Sequence, residues 1–127
     1  MFNVINVGSV YVNYDRTHSA PTHYTLNEDT AKERASVPTM EEYVRKFDLY
    51  AVPNEEVGGS VTIIEVGETH IPVALCTSVA AALQYIKAYM PNITVEETEE
   101  GEYGDGVFVY EKYTKDPCFR LTTWGLY

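Results

Sequence analysis

Residues 60–90 read SVTIIEVGETHIPVALCTSVAAALQYIKAYM, Ser60 to Met90. The first part is rich in β-branched residues, breaks at Gly67-Glu68, and resumes as the apolar run IPVALC. That pattern predicts a β-hairpin. Pro72 has no backbone N–H to give a ladder, so it belongs at an edge or a bulge. Thr77 or Ser78 then offers a hydroxyl cap, and Val79, Ala82, Leu83, Ile86 and Met90 recur at helical spacing up to Pro91. Ala80, Ala81 and Ala88 leave room for close approach to a sheet. A hairpin feeding one amphipathic helix predicts an α+β fold. The expected architecture is a mostly antiparallel sheet with a main helix, about 78–90, packed on one face.

The segment from Phe2 to Tyr14 reads as a long bent strand or a hairpin, because the apolar phase shifts across Gly8-Ser9. Asp15 to Thr25 is polar and reads as a loop. Asn27 caps a short helix to Ala35, with Glu28 and Asp29 at its positive end. Thr39-Met40-Glu41-Glu42 has the form of a capping box, so a second helix is expected to about Phe47, with Met40, Tyr43, Val44 and Phe47 on one face. Two short helices near 28–47 are therefore expected. DLYAVP reads as a short strand and NEEVGGS as a turn. ITVEE, GVFVYEKY and CFRLTTW read as C-terminal strands.

The length of 127 residues fits a single globular domain, 1–127. The net charge of −10 is segregated. Phe47 to Glu111 holds twelve acidic residues and one basic residue, Lys87, a balance of −11; the remainder holds seven acidic and eight basic, a balance of +1. Such charge excludes nucleic acid and anionic membrane as direct partners and favours a basic protein surface. No signal peptide and no spanning apolar run are read. Cys76 and Cys118 read as reduced thiols, and the expected compartment is the cytoplasm, or a host cell's cytoplasm if the chain is phage-encoded.

VEETEEGEYGDG, Val95 to Gly106, carries six carboxylates and no base. The spacing of Glu100, Glu102 and Gly104 does not complete a calcium loop. Two readings stay open: a solvated hairpin loop, or a surface for a basic groove. His18 and His23 flank Pro21 in RTHSAPTH, which rules out a helical zinc pair; with Asp15 they read as exposed loop residues. His70 opens a strand with no nucleophile beside it. The chain has no G-x-S-x-G, P-loop, post-strand G-x-G-x-x-G or H-E-x-x-H pattern. No catalytic residue, metal ligand or cofactor is assigned.

Tyr103, Phe108, Tyr110, Tyr113, Trp124 and Tyr127 crowd the last quarter of the chain. If Phe119 and Leu121 face inward, Arg120, Thr122 and Trp124 share the other face, with Trp124 as an interface anchor. The composition is similar to that of small phage proteins that inhibit host defence nucleases, and no family motif accompanies that likeness. The expected function is a non-catalytic acidic protein-binding module, an inhibitor occupying a nucleic-acid-binding site on a partner. Its expected binding residues are Glu96, Glu97, Glu99, Glu100, Glu102, Tyr103, Asp105 and Trp124. The alternatives are a small enzyme or ligand-binding domain with a helix–sheet pocket, and a structural or assembly subunit that self-associates through a sheet edge and Trp124.

Overall fold

The computed structural model describes residues 3–67, 69, 71–101 and 104–127; for 98–101, 104 and 105 only the backbone is described. Ten elements follow one another: β1 (Ile5–Asp15), β2 (Ala20–Thr25), α1 (Glu28–Ala35), β3 (Glu42–Ala51), β4 (Ser60–Val66), β5 (Pro72–Cys76), α2 (Val79–Tyr89), β6 (Ile93–Gly101), β7 (Gly104–Glu111) and β8 (Phe119–Gly125). The described strands form one sheet in the order β2-β1-β3-β5-β4-β8-β7-β6. The described strands take up half the chain and the two helices 8 and 11 residues, so the class is α+β with sheet dominant. Every pairing is antiparallel except β3 with β5.

Local chemistry explains most of the boundaries. Asn27 Oδ1 accepts from Thr30 N (3.2 Å) and starts α1. Ser78 Oγ accepts from Ala81 N (3.1 Å) and starts α2. Each such cap stabilises by roughly 1 kcal/mol. Gly8, at φ 141°, sits where the β1–β3 register shifts, so the phase change in the sequence is a bulge. Pro72 also lies at a register shift, between the pairs Ile64↔Ala74 and Glu65↔Pro72.

Residues 42–51, expected in part as helix, are strand β3. They pair with β1 from Ile5↔Ala51 to Asp15↔Glu42. Tyr43, Phe47 and Leu49 recur at a period of two and pack into one core cluster. Glu42 does not cap the Thr39 amide. Its carboxylate is buried and faces α1, where Arg34 Nη2 donates to Oε1 (3.0 Å) and Thr22 Oγ1 donates to the same oxygen (3.0 Å). Asn13 Nδ2 bridges Glu42 Oε2 (3.3 Å) and the Ala31 carbonyl (3.0 Å). Arg34 Nε stands 3.0 Å from Oε2, ion-paired without an aligned hydrogen bond. Long-range pairing thus overrides a local helix signal.

Two buried clusters divide the core. One joins Ile64, Ala74, Cys76, Val109 and Leu121 with Ala81, Ala82 and Ile86 of α2. The other joins Val10, Val12, Tyr14, Tyr24, Leu49, Val61, Ile63 and Leu75. Ile63 and Ile64 are neighbours yet fall in different clusters, as do Ala74 and Leu75. Adjacent residues on both faces of β4 and β5 are therefore buried, which accounts for Ile63-Ile64 and Ala74-Leu75 standing side by side as apolar pairs. The sheet also curls. Tyr127 N donates to Tyr24 O (2.7 Å), and the Tyr24 and Trp124 ring centroids are 5.7 Å apart, although β2 and β8 are separated in the sheet by β1, β3, β5 and β4. The second cluster fills the resulting concave side.

Arg34→Ala strands the buried Glu42 carboxylate without its counter-charge. The expected loss is roughly 2–3 kcal/mol in urea unfolding, less than for a fully buried pair because the Arg34 side chain is 29% exposed. An unchanged unfolding midpoint would show that this ion pair contributes nothing to holding α1.

Candidate functional site

The described residues of the acidic stretch, 95–101 and 104–106, lie in strand. β6 ends the sheet and runs through the glutamates to Gly101, and β7 begins at Gly104. The ladder runs from Ile93↔Glu111 to Thr98↔Gly106, shifts register, and resumes at Gly101↔Gly104. Glu96 lies opposite Phe108 and Glu97 opposite Val107. Val107 packs on the α2-containing cluster, so Glu97 shares that face and Glu96 faces the other way. Both carboxylates are exposed. Glu99, Glu100 and Asp105 have their backbone in these strands, with side chains outside the described residues; Glu102 and Tyr103 lie outside them altogether, as does His70.

The Glu96 face carries a row of register partners across four strands: Glu96, Phe108, Arg120 and Glu65. Phe108 is buried and worth roughly 1.5–3 kcal/mol by apolar transfer. The Arg120 guanidinium lies over its ring, 5.9 Å from the centroid. Gly106 makes space for that arginine: at φ 137°, its backbone is strained for any other residue, and an added Cβ would stand 3.4 Å from Arg120 Nε. One base therefore sits between two acids on this face.

Arg120, Thr122 and Trp124 do share the face opposite buried Leu121. Trp124 is 46% exposed and its Nε1 donates to Thr122 Oγ1 (3.2 Å). Thr122 Oγ1 in turn donates to Glu65 Oε1 (2.8 Å). Trp124 is on the same sheet face as Glu96, two strands and four residues from it, roughly 15 Å by strand geometry, and on the opposite face from Glu97.

His18 and His23 have different surroundings. His18 Nδ1 is 3.3 Å from Asp15 Oδ2 on an exposed turn, and the Thr17 amide, with His18, holds the Asp15 carboxyl below its usual range. His23 packs on Tyr127, centroids 4.4 Å apart; burial first, then Arg34, pushes its pKa down. Among the described residues no three His, Cys, Asp or Glu side chains converge as a metal set. Cys76 and Cys118 are both free thiols. Among the described residues no helix is long and apolar enough to cross a membrane. No protein-family model, curated protein or solved structure matches this chain.

Two charged groups carry no sequence signal of their surroundings: Arg45 falls in the segment expected as helix, and Glu65, buried, in a hairpin strand. The alternation of Tyr43, Arg45, Phe47 and Leu49 was the available clue to the first.

Burial pushes the Cys76 thiol up to about 12, with the Glu55 charge adding to the effect. Its pKa is raised, so the thiolate is scarce at any pH below that value. Iodoacetamide is expected to label half-buried Cys118 and spare Cys76 up to about pH 9, and to label both after unfolding. Mass spectrometry of the native digest checks this; equal labelling of Cys76 would contradict its burial.

Proposed function

We propose that this chain is a non-catalytic binding module that inserts its acidic β6–β7 edge into a basic groove of a protein partner. The supporting observation is the placement of Glu96 and Glu97, exposed on opposite faces of a strand that ends the sheet. A flat basic patch meets only one face of such a strand. A groove with basic walls meets both.

The groove's chemistry follows from charge density. Consecutive glutamates on an extended strand place one charge per roughly 3.3 Å of rise. A nucleic acid strand places one phosphate per roughly 3.4 Å of helix axis. Glu96-Glu97 and Glu99-Glu100 thus approximate the linear charge of a single nucleic acid strand, and carboxylates pair with Arg and Lys as phosphates do. The partner that fits is a nucleic-acid-binding protein, and the role that fits is occupation of its site, as in small phage anti-defence inhibitors. The two free cysteines fit a reducing compartment such as the cytoplasm.

In this reading α2 lies against the sheet face that holds Ile64, Ala74 and Cys76, and braces the strands that carry the edge. The sharing of one cluster by Ala81, Ala82 and Ile86 with those residues supports it.

The test is affinity capture from nuclease-treated extract of the producing cell, comparing the native chain with a Glu96→Lys/Glu97→Lys double variant. Capture is expected at roughly 50 mM salt, to weaken at roughly 300 mM as charges are screened, and to be displaced by added oligonucleotide. The double variant is expected to lose it. Undiminished capture by the double variant at low salt would remove the acidic edge from the interface.

A further inference from the structure

The concave side of the sheet opens where β3 and β5 part. Their ladder holds only Leu49↔Leu75 and Tyr50↔Cys76. At the start of β5, Pro72 has no N–H to give and the register shifts. A cleft of about 720 Å³ lies there, within the roughly 300–1,000 Å³ of small-molecule sites. Tyr14, Tyr24, Tyr43 and Trp124 give it ring surface, and Trp124 is 46% exposed. Tyr14 and Tyr24 are by contrast buried, at 8% and 4% exposure. Among the described residues neither hydroxyl has a hydrogen-bond partner, yet neither oxygen is sealed from solvent. Burial is the largest influence on both hydroxyls and pushes their pKa values up, so both stay protonated and able to donate. A native fold seldom leaves buried hydroxyls unmet.

The charged lining divides in two. Glu65 is met inside the protein: Thr122 Oγ1 donates to it (2.8 Å), and Arg120 stands opposite across the β4–β8 ladder. His18 is taken up by Asp15, 3.3 Å away. Arg45, exposed on β3, is in none of the ion pairs of the described residues. Its guanidinium lies over the rings of Tyr14 (5.8 Å) and Phe47 (5.2 Å). Arg16 lies over Tyr43 (5.9 Å), and Tyr43 is stacked on Tyr14, centroids 5.4 Å apart, so two guanidiniums attend one tyrosine stack. Both arginines belong to the section of the chain whose charge balance is +1.

The unmet groups of the cleft are therefore donors, set among rings. A cation meets Arg45 and finds Glu65 already engaged. A neutral apolar ligand covers a guanidinium and two hydroxyls and returns nothing to them. An inorganic anion uses the donors and leaves the rings bare. A flat ring bearing one carboxylate uses both. We propose that this cleft binds a small aromatic carboxylate, its oxygens accepting from Arg45 and from the Tyr14 and Tyr24 hydroxyls, its ring against Trp124. No β6 residue lines the cleft, so the site is separate from the acidic edge.

The chain has a single tryptophan, Trp124, which reports on the cleft by fluorescence. Excitation at the red edge of its absorption leaves a phenyl ring transparent. 3-Phenylpropionate, titrated to roughly 10 mM, is expected to shift its emission saturably and to raise the melting temperature. The neutral isostere 3-phenylpropionamide is expected to bind about tenfold more weakly, lacking the charge-assisted bond to Arg45. 3-Cyclohexylpropionate is expected to bind several-fold more weakly, having no aromatic face. Arg45→Gln, on an exposed side chain, is expected to abolish the preference for the carboxylate over the amide. The Tyr14→Phe/Tyr24→Phe variant is expected to bind phenylpropionate about tenfold more weakly without a fall in melting temperature, since neither hydroxyl holds the fold; if it does not fold, Arg45→Gln decides alone. Absence of a saturable response to phenylpropionate overturns the proposal. So does an amide or a cyclohexyl analogue that binds as tightly, a preference that survives Arg45→Gln, or undiminished binding by the folded double Phe variant.

Discussion

Two rungs of parallel pairing, Leu49 opposite Leu75 and Tyr50 opposite Cys76, are the joint on which the whole sheet turns. On one side lie β2, β1 and β3; on the other lie β5, β4, β8, β7 and β6. A longer joint would zip β3 to β5 and flatten the space in front of Tyr43 and Arg45. With no joint the concave cluster would lose the contact between its two sources, Leu49 from one half and Leu75 from the other. The Tyr127-to-Tyr24 hydrogen bond closes the far side of the same curl. The cleft therefore follows from where the ladder stops, and Pro72 is a chemical reason for stopping.

The charge of the chain is handled in two ways. Outside, glutamates on β6 remain in water, where repulsion between neighbours is weak and an open strand edge is kept from pairing with another sheet. Inside, carboxylates are few and each is held. Glu42 is met by Arg34, Thr22 and Asn13 beneath α1, while Glu65 takes a hydroxyl from Thr122 at the cleft. The first fixes one helix in place. The second lies opposite Arg120 across the β4–β8 ladder. The same residue type thus serves solubility at the surface and architecture inside.

Much of the fold was legible because it is locally encoded. Asn27 and Ser78 cap as their side chains dictate, Gly8 bends β1, and Pro72 sits at a register shift because it has no donor. The capping-box pattern at Thr39 to Glu42 misled because Glu42 is recruited by Arg34, a residue on another element. Of the acidic stretch, the opposed directions of Glu96 and Glu97 follow from the two-residue period of any strand. The cleft was illegible: Tyr14, Tyr43, Glu65 and Trp124 come from four different strands, and only the curl brings them together. No spacing in a linear chain encodes that curl.

The sheet order also bears on how the chain assembles. Thr62 and Thr123 share a hydroxyl hydrogen bond across 61 residues, because β8 must find β4 after α2, β6 and β7 have been made. Closing so large a loop costs entropy before any contact repays it, which slows folding. β1, β2, α1 and β3 by contrast pair among themselves within residues 5–51. On a ribosome that first half is complete and ready to fold while the second is still being made. The late arrival of β8 then makes the protein's maturation time a property of its C-terminal strand.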